Sequence, residues 1–116
     1  MTGGSIAHQR IVVDTTIALL RLLEASGFEP IQEMRIRCGG KIRYPDIPVW
    51  SAAVDQTTRT LDDAVAIFEV LSDDTAATDR VDKLTDYATL PSLWSYVLLE
   101  QTAIAATVYR RVRFIG

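Results

Sequence analysis

Two carboxylates stand out because of where they lie in the sequence. Glu69 lies within residues 64–71, an otherwise apolar run, and Asp46 directly follows Pro45. An ionised carboxylate that is buried without a partner costs several kcal/mol or is forced to protonate, so Glu69 needs a partner. The partner is either a structural ion pair or a divalent cation, because Mg²⁺ binds one or two carboxylates and completes its coordination with water and phosphate oxygens. If Asp46 lies on a neighbouring strand, the two acids predict a cation site that acts on a phosphate group.

Lys83 and His8 are further candidates. Lys83 follows Asp79 by four residues, a spacing that fits an ordinary surface ion pair or a lysine that reaches the same strand end and stabilises phosphate charge. His8, the only histidine, shares a helical face with Val12 and is expected to point inward, in a packing or a catalytic role. With one histidine and one cysteine, a zinc site is not expected. Asp79 and Gln101 stay open as auxiliary residues.

The spacing of apolar residues predicts the elements that position these side chains. Helical spacing and a period of two predict the following segments: a helix over 5–25, strands over 33–38 and 41–50 joined at Gly39-Gly40, a polar loop over 55–63, a central strand over 64–71, a helix over 78–89, and strands over 95–101 and 104–112. Pro45 and Pro48 interrupt the second strand, which indicates an end, bulge or edge near Asp46. The order predicts a small α/β sheet with a buried middle strand.

Composition places the chain among soluble globular proteins. A length of 116 residues predicts one domain over the whole of residues 1–116, and 48% hydrophobic residues are enough for a core. The single cysteine, Cys38, cannot form an internal disulfide, which is typical of the cytosol. Because Asp14 and Arg21 interrupt the first apolar segment, neither a signal peptide nor a membrane span is expected. These features predict a cytoplasmic protein that does not enter the membrane.

The charge distribution leaves two interpretations of one basic segment. The net charge of −3 disfavours indiscriminate binding to nucleic acids. Arg35, Arg37, Lys41 and Arg43 nevertheless lie close together in the predicted hairpin. They form either a solvated strand face or an edge that contacts the phosphates of a nucleic acid.

Four stretches of the sequence form a recognisable set: GGSIAHQRI, RYPDIPVW, AIFEVLSDDTAATDRVDKLTDYATLPSLWSYVLLEQ and VYRR. Together they cover almost the whole chain, and in this order they resemble the Uma2 group of the PD-(D/E)XK restriction-endonuclease-like superfamily. The resemblance implies an αβββαβ core with a mixed central sheet flanked by helices. It also implies a metal-dependent endonuclease that cleaves phosphodiester bonds in DNA with Mg²⁺ or Mn²⁺.

The resemblance assigns roles to matched positions. Asp46 and Glu69 correspond to the two acids of the superfamily motif and are expected as metal ligands, with the backbone carbonyl of Val70 as a further ligand. Leu71 occupies the place of the usual lysine, and the resemblance implies that Lys83 in the following helix replaces it. His8 matches a histidine often found in the first helix of the family.

Two alternatives to an active nuclease follow from the same residues. Family members usually carry a further segment ahead of the GGS stretch, so the resemblance implies that this chain is short at its N-terminus. A short chain fits a catalytically degenerate module that binds nucleic acid or a protein partner without cleavage. An exposed sheet edge in such a chain could also pair with a second copy, which predicts a homo-oligomer.

Overall fold

The chain has a mixed α/β fold, which confirms the predicted fold class. The computed structural model describes residues 4–72 and 77–112. In chain order the elements are α1 Ile6–Leu22, β1 Phe28–Pro30, β2 Arg35–Cys38, β3 Lys41–Arg43, β4 Ile47–Ser51, β5 Thr60–Leu61, β6 Ala66–Val70, α2 Ala77–Ala88, β7 Ser95–Leu99 and β8 Ala106–Arg110.

Strand β6 is the middle strand of the larger sheet, as its apolar sequence predicts. This sheet has five strands in the order β1-β4-β6-β7-β8. Strand β6 pairs antiparallel with β4 and parallel with β7. A strand covered on both faces needs apolar residues at successive positions, and Ile67 packs in one core cluster while Val70 packs in the other.

The two faces of the five-stranded sheet are covered by different layers. Helix α1 covers one face, and α2 together with a three-stranded sheet in the order β3-β2-β5 contributes to the core on the other. Burial of a large apolar side chain stabilises the fold by roughly 1.5–3 kcal/mol, so both clusters hold the layers together. Members of the α1 cluster include Val12, Leu19, Ile47 and Val49, and members of the α2 cluster include Ile36, Leu61, Ile67 and Leu98.

Helix α1 begins where the sequence predicts and ends three residues before the predicted end at Ala25. The Ser5 side chain accepts a hydrogen bond from the backbone N–H of His8 at 3.1 Å, which caps the first turn. The helix ends at Leu22 because the following residues turn away, with Ala25 at φ 60° and Gly27 at φ 84° in the left-handed region. Neither of the two described helices is long and apolar enough to cross a membrane.

The strand predicted over 41–50 is in fact two strands that lie in different sheets. Strand β3 pairs with β2 in the three-stranded sheet, whereas β4 pairs with β1 and β6 in the five-stranded sheet. The residues between them include Pro45, which is buried and cannot donate to a ladder. The loop predicted over 55–63 was also wrong in part, because Thr60–Leu61 forms β5 beside β2.

Candidate functional site

The two carboxylates lie side by side at the ends of β4 and β6. The antiparallel register pairs Ile47 with Phe68, and one further step brings Asp46 opposite Glu69. Asp46 immediately precedes β4, and Glu69 is the fourth residue of β6. The neighbouring strands that the sequence predicts for these acids are therefore observed. Their function as metal ligands stays a prediction.

Asp46 is held through one of its two carboxylate oxygens. Its Oδ2 accepts a hydrogen bond from the backbone N–H of Val70 at 2.8 Å and lies 3.2 Å from Nε2 of His8. Only 11% of the Asp46 side chain is exposed. A backbone donor on β6 and a ring donor on α1 thus fix the direction of this carboxylate, because both elements are anchored in the core.

Glu69 is buried and hydrogen-bonded on the α2 face of the sheet. Its Oε1 accepts the hydroxyl of Tyr87 at 3.0 Å, and its Oε2 accepts the hydroxyl of Tyr96 at 2.8 Å. Tyr87 comes from α2, and Tyr96 comes from the parallel strand β7. The rings of the two tyrosines also contact each other edge to face, with centroids 5.1 Å apart. The carboxylate is therefore held by donors from two elements that pack over β6.

The titration of Glu69 shows how its surroundings act on its charge. Burial raises the pKa of the Glu69 carboxyl above its ordinary value, because desolvation disfavours the ionised form. The Lys83 ammonium and the hydroxyls of Tyr96 and Tyr87 oppose this rise in pKa, and the charge of Asp46 adds to it. Burial and the charge of Glu69 in turn raise the pKa of both tyrosine hydroxyls, so these stay protonated and donate. The protein groups offset only part of the cost of burying Glu69 as an anion.

Lys83 lies near both Asp79 and Glu69, and its role toward a phosphate stays a prediction. Its Nζ lies 3.4 Å from Oδ2 of Asp79, the pair four residues apart in α2, and 3.6 Å from Oε2 of Glu69. The Lys83 side chain is 28% exposed, whereas that of Asp79 is 45% exposed. The ammonium therefore lies between a surface acid and the buried one, within reach of solvent.

His8 packs against the backbone at the start of the chain. It is 6% exposed, as its predicted inward face requires, and its Nδ1 is buried without a hydrogen-bond partner in the described part of the chain. A Cβ at Gly4 would lie 2.7 Å from Cγ of His8 and 2.8 Å from its Nδ1. Only glycine leaves room for the imidazole at that place, and the ring then points Nε2 at Asp46.

Of the remaining candidates, Val70 contacts Asp46, whereas Gln101 lies in a different cavity. Val70 donates its N–H to Asp46, and a metal-binding role of its carbonyl stays a prediction. Gln101 lines a separate cavity with Ile11 and Thr15 of α1 rather than the cavity that contains Glu69.

Three of the four basic residues predicted to contact nucleic acid also contact groups of the chain itself. Arg43 donates from Nε to Oδ2 of the buried Asp86 at 2.7 Å, and a second nitrogen lies 2.7 Å from the same oxygen. Lys41 lies 3.6 Å from Asp86 and is 61% exposed. Arg35 donates to the Thr60 side chain at 2.9 Å. Arg37 is exposed. The pair with Asp86 gives Arg43 a structural role in addition to any contact with a ligand.

The donor set fits a hard divalent cation by its chemistry. Within residues 4–72 and 77–112 no three His, Cys, Asp or Glu side chains form a cluster that could hold a metal ion. A magnesium-type site needs fewer protein ligands, because one or two carboxylates suffice when water and substrate supply the rest. The Oδ1 atom of Asp46 has no hydrogen-bond partner among these residues, and Oε1 of Glu69 accepts one hydrogen bond where it could accept two. Both carboxylates therefore keep free lone pairs for a cation.

Sequence reasoning missed the two tyrosines that hold Glu69, as well as Tyr44. Tyr87 follows Lys83 by four residues on α2, and Tyr96 begins a run of three buried residues in β7. A buried tyrosine hydroxyl needs a partner, and this requirement was the available signal for both. Tyr44 directly precedes the Pro45-Asp46 pair and is 47% exposed beside the site.

Comparisons with known proteins give the family and a similar fold. The Uma2 family model, described as "Putative restriction endonuclease", matches residues 1–114. A solved structure described as "a putative nuclease belonging to DUF820" from Anabaena variabilis ATCC 29413 matches with a TM-score of 0.76 and 18% identity. The match covers 95% of this chain and 64% of that one, and at this identity it shows the fold alone. No curated protein matches the chain significantly.

Proposed function

The chain belongs to the Uma2 family, and from this premise we propose that it is an endonuclease that hydrolyses phosphodiester bonds in DNA with Mg²⁺ or Mn²⁺. The observation that carries the proposal is that Asp46 accepts a hydrogen bond from the backbone N–H of Val70, the residue after Glu69, while Lys83 lies 3.6 Å from Glu69. Carboxylates that hold a cation, next to a positively charged side chain, are what hydrolysis of a phosphate ester requires. The descriptions of the family and of the Anabaena structure support the same class of reaction.

Each residue of the site has a task in this proposal. Asp46 and Glu69 would hold the cation, together with the carbonyl of Val70. When bound, the cation would activate a water molecule and neutralise charge on the phosphate. His8 and the Val70 N–H hold Oδ2 of Asp46, which directs Oδ1 toward a ligand. Lys83 would stabilise negative charge that develops on the phosphate oxygens.

Cleavage of a supercoiled plasmid tests the proposal. The wild type is expected to nick or linearise the plasmid in Mg²⁺ or Mn²⁺ and to lose this activity in EDTA. Glu69→Gln, Asp46→Asn and Lys83→Met each remove one proposed function and should lower cleavage by at least about 100-fold, a typical loss when one electrostatic group is removed. Circular dichroism checks that each variant is folded.

A matched control separates the site from general effects of charge and from a contaminating nuclease. Asp82 is exposed on α2 next to Lys83, so Asp82→Asn changes the charge of the same helix without touching Glu69. This variant is expected to cleave like the wild type. Cleavage by Glu69→Gln at the wild-type rate, in parallel preparations, would contradict the proposal.

A second function is favoured by the hydrogen bonds of Glu69. Tyr87, Tyr96 and Lys83 already contact this carboxylate, so it can persist in a protein that binds no metal. Such a protein would be a module that binds nucleic acid or a protein partner without cleaving it. Binding of DNA in EDTA that survives Asp46→Ala and disappears when Arg35 and Arg37 are replaced would support this function. Metal-dependent cleavage by the wild type alone would dismiss it.

A further inference from the structure

Tyr44 is the residue that two cavities at the site have in common. One cavity, of about 250 Å³, is lined by His8 and Asp46, and the other, of about 260 Å³, is lined by Glu69 and Lys83. Among the described residues, Tyr44 alone lines both. A group bound beside either carboxylate would therefore contact the Tyr44 ring.

The cavity at Glu69 has one charged wall and one apolar wall. Glu69 and Lys83 form the charged wall, while Tyr44 and Ile42 contribute large apolar surfaces that are 47% and 46% exposed. Exposed apolar side chains next to a charged site indicate a ligand with both characters. A nucleotide has both, because its phosphate is charged and the faces of its base are flat and apolar.

The backbone on both sides of Tyr44 is anchored, which makes the ring a firm platform. The preceding residue, Arg43, is tied to the buried Asp86 at 2.7 Å, and the following residue, Pro45, is buried with a fixed φ. The Tyr44 side chain has no hydrogen-bond partner in the described part of the chain and is not needed to fill the core. An aromatic side chain on a fixed backbone loses little conformational entropy when it binds.

We propose that Tyr44 stacks on a base next to the phosphate that is cut, and that the substrate is nucleic acid whose bases are unpaired at that point. This inference rests on the proposed nuclease function. In a duplex both faces of a base are covered by its neighbours, so an aromatic side chain can stack only on a base that has left the helix.

Stacking on Tyr44 would supply affinity that does not depend on basic residues. The chain has a net charge of −3, and Arg43 is paired with Asp86. Base–aromatic stacking is a main source of affinity for single strands.

Binding and cleavage of three oligonucleotide forms test the inference. One labelled sequence is used as a single strand, as a blunt duplex and as a duplex with an unpaired internal loop. Binding is measured by fluorescence anisotropy in EDTA, and cleavage is measured in Mn²⁺. The wild type is expected to bind the single strand more tightly than the blunt duplex, to cut the single strand and the loop, and to leave the blunt duplex intact. A negatively supercoiled plasmid is still expected to be cut, because supercoiling favours unwinding that leaves bases unpaired.

Variants of Tyr44 assign this preference to the ring. Tyr44→Ala is expected to weaken binding of the single strand by about 5- to 150-fold, which corresponds to about 1–3 kcal/mol for one stacked base at 1.4 kcal/mol per tenfold change. Tyr44→Phe keeps the ring and should bind within about threefold of the wild type, because stacking needs only the π-face. Phe28→Ala is the control, since Phe28 is an aromatic residue that is 41% exposed and lines neither of the two cavities.

Three results would overturn the inference. The first is cleavage of the blunt duplex at least as fast as the single strand, and the second is wild-type binding by a folded Tyr44→Ala. Either result leaves the nuclease function standing. The third is a wild type that cleaves none of the three substrates and also leaves a plasmid intact, which removes the proposed function and this inference with it.

Discussion

Removal of the Tyr96 hydroxyl should raise the pKa of Glu69 and make the fold more sensitive to pH. The hydroxyl donates to Oε2 of Glu69 at 2.8 Å within the core. A hydrogen bond to a charged group contributes about 1.5–3 kcal/mol, and one between neutral groups contributes about 0.5–1.5 kcal/mol. Tyr96→Phe therefore costs about 1 kcal/mol more when Glu69 is ionised than when it is protonated. At 1.36 kcal/mol per pKa unit, the pKa of Glu69 should rise by somewhat less than about one unit.

The direction of the effect on stability follows from proton linkage. Burial already raises the pKa of Glu69 in the folded protein above its value in the unfolded chain. Folded molecules therefore bind more protons between these two pKa values, and stability falls as the pH rises through the folded-state pKa. In Tyr96→Phe the folded-state pKa is higher still, so the fall extends to higher pH. The variant should lose about 1.5–3 kcal/mol where Glu69 is ionised and about 0.5–1.5 kcal/mol where it is protonated, so the loss grows as the pH rises.

Urea unfolding across the range pH 4–8 measures this difference. Tyr109→Phe is the control, because the Tyr109 ring stacks on Tyr96 with centroids 6.2 Å apart while its hydroxyl has no hydrogen bond within the described residues. The free energy of unfolding of this control should follow the wild type at every pH. The reasoning is refuted if Tyr96→Phe lowers the free energy of unfolding by the same amount at pH 4 and at pH 7.

Three further outcomes are expected. Arg43→Met should lower the free energy of unfolding in urea by about 3 kcal/mol, because it leaves the carboxylate of Asp86 buried without its main partner. A loss below about 0.5 kcal/mol would show that the Arg43–Asp86 pair behaves as an exposed ion pair. His8→Asn should lower both cleavage and metal affinity by about 10- to 100-fold, because the variant no longer positions Asp46. The free energy of unfolding should change little. Unchanged metal affinity in calorimetry would refute the positioning role of His8. Glu69→Gln should remove the fall in stability that begins as the pH rises above the ordinary pKa of a glutamate, since the carboxyl with the raised pKa is gone. The same fall in the variant would assign it to another group.

The spacing of apolar residues was sufficient to predict the elements that form the core. Strand β6 is apolar at successive positions because layers cover both of its faces, so its central place could be read from the sequence. The prolines at 45 and 48 indicated an interruption, but nothing local shows that β3 and β4 pair in different sheets. The division into two sheets depends on which strands distant in sequence pair with β3 and β4. The two-residue strand β5 likewise forms only because β2 lies beside it.

The site residues could be predicted from the sequence where a charged residue lies among apolar ones. Glu69 could be found because an acid in a buried strand needs a partner, and Asp46 because it follows Pro45 next to the strand that pairs with β6. Tyr87 and Tyr96 could not be found, because a tyrosine among apolar residues is common and the sequence does not show which group its hydroxyl meets. The role of Gly4 was equally hidden, since it depends on the imidazole that packs against it.

Calorimetric titration with Mg²⁺ and Mn²⁺ tests the central claim most directly, because it needs no substrate. The wild type and Asp82→Asn are expected to bind the cation, whereas folded Glu69→Gln and Asp46→Asn are expected to bind it at least about tenfold more weakly, as each loses one charged ligand. Equal affinities in all four proteins, or a folded wild type that binds neither ion, would contradict the assignment of Asp46 and Glu69 as the metal site.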